Sequence, residues 1–204
     1  MKRLLVMALL AGCGGDDGGS TPVDGSMMDS APMDTTVPGK RVFVTSMNTN
    51  ADLRSIGGAA TGILSADVIC NNMAGAVGVT GTWQAWISDS TTDAIDRITG
   101  TGPWFRMDGQ MAFLNKANLT TQPLVPITVT EKGTTVMFPP DLINAWTGTA
   151  AGGRFQPSTG ATCSDWSAIT GEGTVGDAGE VDSGWTNFAE LDCDLMGRLY
   201  CFEK

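Results

Sequence analysis

The chain has 204 residues, 42 % apolar and 17 % charged, with a formal net charge of −10 and no histidine. The missing imidazole excludes Ser-His-Asp and Cys-His catalysis and the commonest metal ligand. The negative charge disfavours nucleic acid and anionic lipid surfaces, leaving cations, basic partners or plain solubility.

In chain order, Lys2-Arg3 is a short positive stretch before the apolar run Leu4 to Leu10. That run falls far below the ~20 residues that cross a bilayer, and it fits a signal peptide. Leu10-Ala11-Gly12-Cys13 follows and resembles the lipobox of bacterial lipoproteins. The resemblance implies removal of residues 1–12 and a lipid on the Cys13 thiol. The chain has five cysteines, and Cys13 lies far from the other four, so lipidation would account for the odd one. Without the first twelve residues the chain carries 10 bases and 22 acids, a net charge of −12.

Gly14 to Gly39 is rich in Gly, Ser, Thr, Pro and Asp, with five acids and no base. Such a composition cannot bury enough surface to offset chain entropy, so residues 13–39 are expected to be a self-repelling tether. The rest, 40–204, is long enough for one domain with its own core.

A first strand is expected at Lys40 to Thr45. A helix is expected from Ser65 to Ala74, with Ser65 as N-cap, Ala66, Ile69, Cys70, Met73 and Ala74 at helical spacing, and Gly78 ending it. Thr82 to Ser88 alternates as a strand, and Asp93 to Ile98 is a short helix. Leu124 to Thr130, Thr134 to Phe138, Ala145 to Gly148 and Arg198 to Phe202 are later strand candidates. Between Gly148 and Gly197 the chain is expected to be mostly loop and in need of bracing. There is no internal repeat.

Cys70, Cys163, Cys193 and Cys201 allow three connectivities, and spacing alone does not choose among them. Loop-closure entropy is worth about 3.5–4 kcal/mol for Cys163–Cys193 and about 5 kcal/mol for Cys70–Cys201. No Cys-x-x-Cys pair suggests a thiolate metal site.

Ala66-Asp67-Val68-Ile69-Cys70 and Ala76 to Ser88 resemble the opening of the endostatin domain. Ala145-Trp146-Thr147-Gly148, Gly153-Arg154, Cys163-Ser164-Asp165-Trp166, Thr170-Gly171 and Leu199-Tyr200-Cys201 follow in the same order. The pattern is also similar to a family of bacterial lipoproteins of unknown function, over about Lys40 to Lys204. The resemblance implies an α+β, C-type-lectin-like single domain with nested disulfides, Cys70–Cys201 and Cys163–Cys193. Endostatin's zinc and heparin sites do not carry over, because residues 40–204 hold no histidine and have 10 bases against 17 acids.

Asp165, Glu172, Asp177, Glu180, Asp182, Glu190, Asp192 and Asp194 crowd one stretch without a base. Clustered oxygen ligands suit calcium, and Trp185-Thr186-Asn187 loosely resembles the Trp-Asn-Asp motif of calcium lectins, although their Glu-Pro-Asn type motif is missing. Asp177, Glu180, Asp182, Trp185 and Asn187 are therefore the candidate ligand or calcium loop. The weightier expectation is a solvated acidic loop. Gly171 to Gly176 spells GxGxxG, but the strand-turn-helix context that a dinucleotide site needs is not expected there. Of six tryptophans, Trp83 and Trp86 face opposite ways along a strand. Most of the six should be core, with Trp185, among glycines and acids, the expected exception that could stack on a sugar.

These features predict a non-catalytic, surface-exposed binding or adhesion module, lipid-anchored in the cell envelope, with its ligand on the loops between Gly148 and Gly197. The alternative is a calcium-dependent carbohydrate binder. A third reading is a structural envelope lipoprotein. A monomer is expected, with a protein or glycan partner, membrane contact through the lipid alone, and no cofactor other than calcium in the alternative.

Overall fold

The computed structural model describes residues 39–136, 143–155 and 161–204. The expected signal peptide, Cys13, the expected tether up to residue 38 and Phe138 lie outside the described residues.

The architecture is mixed α+β. The first strand, β1 (Lys40–Val44), is central. It runs antiparallel to β8 (Tyr200–Glu203) and parallel to β3 (Trp104–Arg106). With β2 (Trp83–Ala85) and β4 (Met111–Phe113) the sheet order is β2-β8-β1-β3-β4. Both faces of this sheet are buried, as period-two alternation requires when no face meets water. Phe43, Trp83, Ala85 and Cys201 enter one core, with Ile69 and Cys70 from a helix. Val42, Val44, Trp104, Phe113, Tyr200 and Phe202 enter the other. Trp83 and Trp86 divide between the two cores, as their opposite facing requires.

The main helix, α2 (Gly62–Ala76), follows a short helix, α1 (Leu53–Gly57). It starts three residues earlier than its apolar spacing suggests. Thr61, not Ser65, is the N-cap, its hydroxyl accepting from Leu64 N–H at 3.3 Å. Ser65 is instead buried inside the helix, where its hydroxyl accepts from Ala59 N–H at 2.9 Å. A tertiary contact thus recruited a residue whose type favours caps. The helix ends in a Schellman motif: Gly78 has φ +74, and Val79 N–H donates to Ala74 O at 3.0 Å.

After β2 the chain leaves the first sheet. Trp86 N–H still donates to Tyr200 O at 2.9 Å, but Ser88 N–H donates to Thr147 O at 2.7 Å. The expected strand therefore stops at Ala85. The helix expected near residue 93 is α3 (Ala94–Arg97). Leu124 to Thr130 is not a strand, since Pro123 and Pro126 remove ladder donors and only an isolated bridge joins Thr130 to Val44. Thr134 to Phe138 is reduced to one bridge, Thr135 to Val129, within its described part. β3 and β4 form a hairpin absent from the sequence expectations, and Gly109, at φ +84, makes its turn.

Gly148 to Gly197 is more regular than its composition suggests. A second sheet, β5-β6-β7, joins β5 (Asn144–Trp146), β6 (Glu172–Asp177) and β7 (Ala189–Asp192). The glycines that argue for loop are what packing requires in β6. A Cβ on Gly173 would meet Cys163 Sγ at 2.7 Å, and one on Gly176 would strike the Trp185 carbonyl. The GxGxxG run is thus a packed strand, and no phosphate cradle forms there.

Two disulfides close the domain, Cys70–Cys201 and Cys163–Cys193, with the second nested inside the first. The first ties α2 to β8 and the second ties residue 163 to the end of β7.

Candidate functional site

The sequence-derived ligand loop does not gather. Asp177 is buried, and its Oδ1 accepts from Gly179 N–H at 2.8 Å. Asp182 caps the 3-10 turn Ser183–Trp185, accepting from Gly184 N–H at 2.7 Å. Glu180 is half-buried and Asn187 is exposed. Among the described residues no group of three or more acidic, cysteine or histidine side chains is placed to hold a metal ion.

Trp185 corrects the expectation of an exposed sugar platform. It is 0 % exposed, packs on Trp86 at 5.0 Å and Phe113 at 5.2 Å, and donates from Nε1 to Thr121 O at 3.3 Å. The glycines around it signal close packing, not exposure. All six tryptophans are buried. Tyr200 beside it is also buried, which pushes its hydroxyl well above the ordinary range, with the Asp177 charge adding to the effect.

One surface corner does stand out. It is built where the β6 start meets the β7 end. Cys193 N–H donates to Gly171 O at 3.0 Å, Leu195 N–H to Asp192 O at 3.0 Å, and Ala51 N–H to Cys193 O at 3.0 Å. The Cys163–Cys193 disulfide pins the same point from beneath. This tight turn leaves Leu195 47 % and Met196 56 % exposed, and Ile169, two residues before Gly171, is 50 % exposed. Around them stand Glu172, Asp192 and Asp194, all exposed. Glu172 and Asp192 are direct cross-strand partners, so two carboxylates face each other across the sheet. That arrangement is repulsive. No described ion pair neutralises Glu172, Asp192 or Asp194. The segment Asp192-Cys193-Asp194-Leu195-Met196 held the signal, an apolar pair straight after two acids, but only the fold sets Glu172 opposite Asp192.

The base under this corner is an unusual backbone. Cys163, Ser164, Asp165 and Trp166 have φ of 50, 55, 55 and 61°, one turn of left-handed helix without a glycine. Each such residue costs about 1–2 kcal/mol, so the turn persists only where its surroundings hold it. Trp166 Nε1 donates to Ser88 O at 2.7 Å, and Asp165 accepts from Ser90 N–H at 2.8 Å and Ser90 Oγ at 2.7 Å. Burial raises the Asp165 carboxyl, but hydrogen bonds from Ser90 Oγ, Ser90 N–H and Thr162 Oγ1 outweigh it and hold the pKa below the ordinary 3.8. A depressed folded pKa adds stability that is complete above the unfolded value and is lost as pH falls through the folded one. The wild type should therefore lose melting temperature below about pH 4 more steeply than Asp165→Asn, in scans between about pH 2 and pH 6. Parallel curves would show that the Ser90 clamp adds nothing.

A wide polar depression, lined by Asp52, Arg54, Ser55, Gly58, Ala59 and Ser167, begins one residue from the Ala51 that bonds Cys193 at the corner. It lacks the apolar walls of a small-molecule site.

No protein-family model matches the chain, and no curated protein sequence matches it.

Proposed function

We propose that this chain is a non-catalytic binding or adhesion module of the cell envelope, anchored by lipid on Cys13 and displayed outside the cytoplasm. Its contact surface is the corner of Ile169, Glu172, Asp192, Asp194, Leu195 and Met196. Its build is C-type-lectin-like, close to endostatin. The α+β architecture, the nested disulfides and the order of the cysteine and tryptophan motifs support that build. Disulfides favour an oxidising compartment, and no described helix is long and apolar enough to cross a membrane.

The observation that carries the reading is the exposed apolar group Ile169, Leu195 and Met196 on a disulfide-braced corner. Contiguous exposed apolar side chains rimmed by polar ones mark contact surfaces. The test is an array of glycans and peptides probed with the wild type and with Leu195→Ser/Met196→Ser. A ligand class should bind the wild type and be lost from the double variant, whose fold circular dichroism checks. Binding that survives the double change places the contact elsewhere and overturns the reading. For the anchor, Cys13→Ala should lose metabolic acyl labelling, and unchanged labelling would refute lipidation at this position.

A further inference from the structure

We infer that the partner of this corner is a cationic polypeptide segment that also carries apolar side chains; the inference rests on the binding reading above. Two observations carry it.

The first is charge. From residue 155 to residue 197 the chain has eight acids and no base. Glu172 and Asp192 are opposed across the strands, and Asp194 lies two residues beyond Asp192. Folding alone does not reward placing like charges directly opposite. A lysine or arginine set between them would turn that repulsion into two attractions.

The second is the apolar set beside the acids. Ile169, Leu195 and Met196 stand next to the carboxylates on adjoining loops, linked through the Cys193 N–H bond to Gly171. The surface therefore matches alternating basic and apolar side chains better than a glycan or an anionic membrane.

The test uses the full chain and a synthetic peptide of alternating lysine and leucine, followed by titration calorimetry and by NMR shifts. The shifts should concentrate at Ile169, Glu172, Leu195 and Met196. Glu172→Gln with Asp192→Asn should weaken binding roughly tenfold, the loss of two partly screened ion pairs. Asp96→Asn with Asp108→Asn removes the same charge from α3 and from the β3–β4 turn, and should change affinity less than twofold. Equal loss in both pairs would mean general charge attraction and overturn the inference. Equal binding of a glutamate-leucine peptide at the corner would overturn the cationic class while leaving the binding module standing. Shifts confined to other surfaces would overturn the inference, and the array result with Leu195→Ser/Met196→Ser decides separately whether the module reading falls with it.

Discussion

Replacing Cys70 and Cys201 together by serine lowers the melting temperature by about 10–20 °C in scanning calorimetry. The disulfide spans a sequence separation of 131 residues, and in the chain-entropy account its loss returns about 5 kcal/mol of freedom to the unfolded state. For a domain of this size each kcal/mol is worth about 2–4 °C. The native contacts cannot make up the difference locally, because the bond joins α2 to the central strand pair at a position that is 0 % exposed on both sides. The Cys163/Cys193 pair closes only 30 residues and should cost less, about 3.5–4 kcal/mol. A larger loss from the shorter loop would show that holding the left-handed turn, not loop entropy, is the main work of that second bond.

Asp67→Ala costs about 3–5 kcal/mol in urea denaturation. Arg97 enters the interior from α3 and donates to Ala85 O at 3.0 Å, Ile63 O at 3.0 Å and Asp67 Oδ1 at 2.8 Å. The two side chains are only 6 % and 19 % exposed. Asp67 Oδ1 also accepts from Ala85 N–H at 2.8 Å, which stands on β2. Removing the carboxylate therefore strands a buried guanidinium and a backbone donor at once. Arg97→Met combined with Asp67→Ala should lose less than the sum of the two single changes, because the cation is no longer left unpaired. Additive losses would mean that the pair is not coupled and that α3 is held by other contacts.

The sequence made some of this legible and concealed the rest for identifiable reasons. β1, β8, α3 and the end of α2 follow from apolar spacing and from Gly78, because there local preference and tertiary demand agree. The start of α2 does not, since Ser65 serves a contact with Ala59 that no local rule describes. β6 was hidden because Gly173 and Gly176 look like loop residues, yet they are small so that Cys163, Trp146 and the Trp185 backbone can approach. Trp185 misled for the same reason, as its polar neighbours are turn caps around a buried ring. The acidic stretch was visible from composition, but composition could not separate Asp177 and Asp182, which cap turns, from Glu172 and Asp192, which face each other in the open. The partnership of Asp67 with Arg97, 30 residues apart, had no sequence signal at all.

The pairing of β1 with β8 also sets a direction of display. Whatever precedes Lys40 joins the domain at the same end as the carboxyl terminus, where Arg41 grips Glu203 at 2.7 Å. The corner lies at the far end of these strands, where Thr49 pairs with Gly197. The entry of the chain into the domain at Lys40 and the turn that carries Leu195 and Met196 therefore stand at opposite ends of the β1–β8 pair.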